Sequence, residues 1–174
     1  MIEVVSGKEL ESLAYRIAAD AHYQGMYNFR PYVEHPVEVA LLAKKLGYPS
    51  EVVSAAYLHD TVEDTKVTPE SLLEQGIPLI VVEGVNAVTY TEEDLANEVD
   101  KIAKARSNPI GHVTKFCDSS RNFATCVTYP EILELEEPGK ARKFALRYSG
   151  YLAKLIPDLP TPEFIEDYVR NFQG

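Results

Sequence analysis

The run Ala55-Ala56-Tyr57-Leu58-His59-Asp60-Thr61-Val62-Glu63-Asp64-Thr65 constrains this chain more than any other stretch. An apolar segment fit for burial delivers a His-Asp pair, and two further carboxylates follow one helical turn later. If one helix continued through Thr61 and Val62, His59 would face Glu63 and Asp60 would face Asp64, because residues four apart share a face. Yet Asp60, Glu63 and Asp64 all oppose the macrodipole at a helix C-terminus. Two solutions stay open. Either the helix ends early and the acidic residues sit in a solvated turn, or a cation binds them. A lone His-Asp pair is otherwise a common capping or surface feature.

The remaining chain reads as helices. Ser6-Gly7-Lys8-Glu9 is a capping box, and Leu10, Leu13, Ala14, Ile17, Ala18 and Ala21 form the buried stripe of a helix reaching about His22. Tyr23 to Arg30 reads as a loop broken by Gly25. A second helix follows Pro31-Tyr32, carries His35-Pro36 in its first turn, and stops at Gly47. Ser50 is read as the cap of the third helix, which bears the central run. Thr68-Pro69-Glu70 opens a short helix ending near Gly76. Residues 78–88 are apolar and β-branched, but an isolated strand would have no partner, so they are assigned to a buried helix. Thr91 to Asp94 caps a polar helix running to about Ser107, and Pro109 opens another that includes Asn122. Tyr129 to Gly139 reads as a proline-broken connector. Helices over about 140–156 and from Pro162 to Phe172 complete the pattern. The expectation is an all-α fold, a single helical domain over residues 1–174.

Twenty-seven acidic against 17 basic side chains give a net charge of -10. That argues against nucleic acid as a main partner, which would need a basic footprint, but leaves room for a small phosphorylated ligand. No apolar run has membrane-spanning length. The first residues lack the basic-then-apolar pattern of a signal peptide. Cys117 and Cys126 are too few for a disulfide framework. The expectation is a reduced, cytoplasmic protein with no membrane partner, its oligomeric state open.

A metal site needs ligands from several helices. His35, at the start of a buried helix, is a candidate ligand or a histidine bonded to backbone. Asp118 follows Val113, Phe116 and Cys117 on a buried-looking segment, as a ligand or as the ion-pair partner of Lys115 or Arg121. His22 is read as a structural histidine and His112 as a surface one. His35, His59, Asp60 and Asp118 would make a mixed imidazole–carboxylate set suited to Mn²⁺, Fe²⁺ or Zn²⁺. Glu63 and Asp64 would orient a water or move its proton. Arg30, Lys115 and Arg121 are candidate phosphate partners or ordinary ion-pair residues.

Those residues resemble the HD-domain hydrolases of the RelA/SpoT type, particularly the small stand-alone alarmone hydrolases. Ala21-His22, Pro31-Tyr32, His35-Pro36, the run from Ala55 to Thr65, and Lys115-Phe116-Cys117-Asp118 with Asn122 match in order and spacing. The resemblance implies a helical fold and Mn²⁺ bound by His35, His59, Asp60 and Asp118. It implies catalytic roles for Glu63 and Asp64 and a nucleotide contact from Asn122. The implied reaction removes the 3′-pyrophosphate of (p)ppGpp, the stringent-response alarmone, to give GDP or GTP. Similar animal members act on the 2′-phosphate of NADPH, and a non-catalytic nucleotide sensor is the rival of another class. The loop from Tyr23 to Arg30 departs from the family pattern, with Arg30 its one basic residue and Tyr27 and Phe29 available to stack on a base. Ser119-Ser120 after Asp118 is a second departure, and the segment from Thr89 to Thr91 matches loosely. The chain is too short for the separate synthetase domain of bifunctional members.

Overall fold

The computed structural model describes residues 6–28 and 30–172. Residues 1–5, on which most of the signal-peptide reading rests, lie outside them. The fold is all-α apart from one small ladder. In chain order the elements are α1 (Gly7–Ala21), β1 (Met26–Tyr27), β2 (Arg30–Pro31), α2 (Glu34–Lys45), α3 (Ser50–Leu58), α4 (Thr61–Asp64), α5 (Pro69–Glu74) and α6 (Leu79–Val88). There follow α7 (Glu92–Ala96), α8 (Lys101–Arg106), α9 (Pro109–Thr128), α10 (Pro130–Glu136), α11 (Lys140–Leu155) and α12 (Pro162–Asn171).

Helix α3 is the centre. Val52, Val53, Ala55, Ala56 and Leu58 are all buried, so it is apolar all round, as a helix enclosed by others must be. It packs against α1, α2, α6 and α9. A smaller cluster, Cys126, Leu133 and Ala141 with Phe144 and Tyr148, lies under the C-terminal half of α9. No helix among the described residues is long and apolar enough to cross a membrane.

Close approach of α6 and α9 depends on two glycines. A Cβ on Gly84 would sit 2.5 Å from Ile110 Cγ2, and one on Gly111 2.7 Å from the Ala87 Cβ. That contact sets the height of α9 against α3, and α9 carries Asp118 and Asn122.

Several local expectations are corrected. The loop from Tyr23 to Arg30 contains a tight antiparallel hairpin, pairing Met26 with Pro31 and Tyr27 with Arg30. Asn28 turns it at φ 47°, a conformation asparagine tolerates. Ser50 does not cap α3; Pro49 holds that position, and the Ser50 hydroxyl donates to Glu11 Oε1 at 2.8 Å. The polar helix after Thr91 is two helices, separated where Glu98 adopts φ 52°. The proline-broken connector contains α10, opened by Pro130 at its first position. His112 is buried, not superficial: its Nε2–H donates to the Leu155 carbonyl at 2.8 Å and ties α9 to the end of α11.

We expect Gly111→Ala to destabilise the protein by about 1–3 kcal/mol through overpacking, read as a lower midpoint in urea denaturation. A midpoint unchanged from wild type would mean that α6 and α9 separate at no cost.

Candidate metal centre

The central run does not form one helix. Helix α3 ends at Leu58, and α4 restarts at Thr61. Side chains take over the last carbonyls: the His59 Nδ1–H donates to Ala56 O at 2.8 Å, and the Thr61 hydroxyl donates to Leu58 O at 2.6 Å. Such local bonds compete with the helical ladder and end it. The break takes Asp60 off the C-terminal end of α3 and puts it at the N-terminus of α4, where negative charge is tolerated.

The break also sets a tautomer. With Nδ1–H committed to a carbonyl, His59 Nε2 is the atom that faces the interior. It is buried and lacks an aligned hydrogen-bond partner among the described residues. The nearest carboxylate oxygens are Asp60 Oδ2 at 3.1 Å and Asp118 Oδ1 at 3.8 Å. His35 Nε2 lies 3.2 Å from Asp118 Oδ1 and 3.9 Å from Asp60 Oδ2. His35, His59 and Asp118 each bring a ligand atom within 4.8 Å of the others, a group able to hold a metal ion. Asp60 borders that trio through both imidazoles.

Surrounding groups fix these side chains. Lys115 Nζ donates to Asp118 Oδ2 at 2.8 Å, one turn away on α9. The Asn122 amide donates to Asp118 Oδ1 and accepts from the Tyr27 hydroxyl. Tyr27 also stacks on His35, ring centres 4.8 Å apart, so this hairpin aromatic anchors the centre. Phe29 lies outside the described residues. The Tyr32 hydroxyl reaches Asp60 Oδ2 at 3.1 Å and also Asp64 Oδ2. Asp60 and Asp64 thus come together across the break, with a tyrosine between them, and not on one continuous helix. Glu63 does not face His59. Its carboxylate accepts from the Tyr90 N–H at 2.8 Å and lies 3.6 Å from Lys101 Nζ.

Arg30 and Arg121 stand apart from this group and converge on Glu38, which neither the central run nor any motif indicates. Arg30 donates to both Glu38 oxygens at 2.7 and 3.0 Å, and Arg121 Nη2 lies 3.1 Å from Oε2. The three residues line a cavity of about 430 Å³, walled by Ala124, Thr125 and Ile132 among others. Tyr32 has a sequence signal, since it precedes His35 by one turn; Glu38 and Arg121 meet only through the packing of α2 on α9.

Electrostatics couple the centre. Burial pushes the Asp118 carboxyl up, but the Lys115 ammonium and the two imidazoles outweigh it and hold it well below the usual carboxylate range. Burial likewise opposes charge on Asp60, and His59 brings its pKa down to about 2. For His59 burial disfavours the cation, yet Asp60 and then Asp118 raise its pKa to about 9. Without metal, the His59 imidazolium and Lys115 therefore balance the two aspartates. A divalent cation suits the same donors, displacing the His59 proton to reach the Nε2 lone pair.

The sign of the pH dependence follows. His59, raised above its ordinary 6.5, stabilises the chelated protein fully below that pH and loses its contribution as pH rises through about 9. Asp60, lowered from 3.8, contributes above that pH and fails as pH falls through about 2. We expect urea denaturation of the chelated protein to show stability holding up to about pH 6.5 and falling from there to about pH 9. A His59→Asn variant should lack that fall.

Comparisons with known proteins cover much of the same stretch of chain. A family profile described as HD domain matches residues 14–109, a span that includes His35, His59, Asp60, Glu63 and Asp64 and stops short of Asp118. A guanosine-3′,5′-bis(diphosphate) 3′-pyrophosphohydrolase of Aquifex aeolicus is 33% identical over 91% of this chain and 23% of that protein. A probable enzyme of the same name from Synechocystis is 30% identical over 82% of the chain and 19% of its own length. This chain therefore spans about a quarter or less of those relatives. A solved structure titled "A metazoan ortholog of SpoT hydrolyzes ppGpp and plays a role in starvation responses" superposes with a TM-score of 0.68 at 20% identity, covering 92% of this chain and 94% of that one. That likeness extends the helical fold beyond the profile's limit to almost the whole chain. The chain belongs to the HD-domain family.

Proposed function

We propose that residues 1–174 form one HD-type domain that hydrolyses the 3′-pyrophosphate of (p)ppGpp, releasing GDP or GTP and pyrophosphate. The observation that carries this reading is the convergence of two imidazoles and two aspartates around the buried Nε2 of His59, which makes no aligned hydrogen bond among the described residues. His35, His59, Asp60 and Asp118 would hold a divalent cation, with Mn²⁺ the first choice. Such an ion lowers the pKa of a bound water and offsets charge developing on phosphorus.

The chain's own groups supply the rest. Asp64 is exposed, and Tyr32 is its one side-chain hydrogen-bond partner among the described residues. It is placed to orient the attacking water and take its proton as the new P–O bond forms. That proton ends on the departing 3′ oxygen when the old P–O bond breaks. Glu63, anchored by the Tyr90 N–H, would work from a different face of α4. The Arg30–Glu38–Arg121 cavity is of a size for the nucleoside, with its guanidinium planes offered to a base. Lys115 serves Asp118 as counter-ion, and Asn122 reaches the nucleotide only if its bond to Tyr27 yields. The names of the relatives support ppGpp as substrate.

Ion-exchange analysis of products after incubation with ppGpp and Mn²⁺, beside a chelated control and an NADPH sample, tests the assignment. GDP and pyrophosphate should appear only with metal. A metal-loaded protein that leaves ppGpp intact would refute the substrate, and turnover of NADPH alone would transfer the reading to its 2′-phosphate.

Two variants separate the roles. Asp60→Ala should lose bound metal and activity together, by more than the 10- to 100-fold expected for groups behind the ligands. Glu63→Ala should keep its metal, measured by elemental analysis, and turn over about 100-fold more slowly. Full activity in Glu63→Ala would remove that residue from the mechanism.

A further inference from the structure

The hydroxyl of Tyr32 lies between two carboxylates: it is 3.1 Å from Asp60 Oδ2 and within hydrogen-bonding distance of Asp64 Oδ2. It has one proton to donate, so it can satisfy only one of them at a time. Whichever carboxylate lacks that proton faces an oxygen lone pair and must turn to another donor or to a cation. Asp60 can obtain one from the centre, since it borders His35 and His59. Asp64, exposed and outside that group, has the hydroxyl as its one side-chain donor among the described residues. A cation drawn to Asp60 therefore leaves the Tyr32 proton to Asp64.

Tyr32 is held rigidly for this. Its N–H donates to the Gly25 carbonyl at 2.9 Å, closing the hairpin onto α2. A Cβ on Gly25 would come within 3.1 Å of both Tyr32 Cβ and His22 O, so glycine permits the approach. The His22 ring lies parallel to the Tyr32 ring, 4.2 Å between centres and 5° between planes. His22 is 7% exposed, and its Nε2 makes no hydrogen bond among the described residues. A buried imidazole with an unused nitrogen is there for its flat face.

We propose that Tyr32 is a positioning residue that couples the metal-side carboxylate Asp60 to the reactive carboxylate Asp64 through one shared hydroxyl, with His22 as the stacking support that sets its reach. The role rests on the metal-centre reading above. Its function is to aim Asp64 when, and only when, Asp60 is engaged.

The test compares Tyr32→Phe, His22→Ala and His22→Phe with wild type, each melted in chelator to establish folding and each titrated with Mn²⁺ against a competing chelator. Tyr32→Phe keeps the ring and loses the shared proton. It should bind Mn²⁺ several-fold more tightly, because the hydroxyl no longer competes for Asp60, and lose kcat with KM within about twofold, as expected when an interaction specific to the transition state is removed. His22→Ala should show the same loss of kcat in weaker form, and His22→Phe, which retains a flat ring, should restore most of it. Wild-type Mn²⁺ affinity and kcat in a folded Tyr32→Phe would overturn the coupling. Equal loss in His22→Ala and His22→Phe would overturn the stacking support. Failure of wild type to hydrolyse ppGpp would count against the substrate alone, because the Mn²⁺ titration reads Tyr32 without any nucleotide.

Discussion

The structure depends on the interruption between α3 and α4. A largely buried helix brings His59 into the interior and Asp60 to its edge and stops there, because the His59 and Thr61 side chains take its last carbonyls. One interruption settles three matters. It fixes the tautomer of His59, it removes Asp60 from an unfavourable helix end, and it brings a second short helix around so that Asp64 returns towards Asp60. Everything else at the site answers the charge thus concentrated.

Those answers come from different distances along the chain. Lys115 and Asn122 lie on the same helix as Asp118 and compensate it locally. His35 and Tyr32 arrive from the hairpin and the start of α2, and Tyr27 ties the hairpin to α9 through Asn122. The core beneath is apolar and tightly packed, with Gly84 and Gly111 letting α6 close on α9. A small change in that contact would shift Asp118 relative to the imidazoles, so the packing of the core and the geometry of the site are one problem.

Apart from the candidate metal centre, the Arg30–Glu38–Arg121 cluster gives the cavity of about 430 Å³ a different character. Glu38 neutralises one of two arginines, which leaves donors and flat guanidinium faces with a net charge of one. Two uncompensated arginines would draw a chain of phosphates more strongly.

Much of this was legible in the sequence by itself. Apolar periodicity, the capping boxes at Ser6 and Thr91, and the glycine stops at Gly47 and Gly76 are local signals, and they determined the all-helical fold and most helix boundaries. The unusual run from Ala55 to Thr65 marked the centre of the site, and His35 and Asp118 stood out as polar residues on apolar faces. Only the tertiary structure decided how the helices subdivide. The break at His59, the gap at Glu98 and the hairpin at Asn28 depend on side-chain bonds and left-handed residues that helical periodicity cannot register. The same holds for the partners of each charge: Glu63 with Tyr90, Arg121 with Glu38, and Tyr32 between Asp60 and Asp64. Those pairings join residues far apart in the chain, and their distances are set by how whole helices pack.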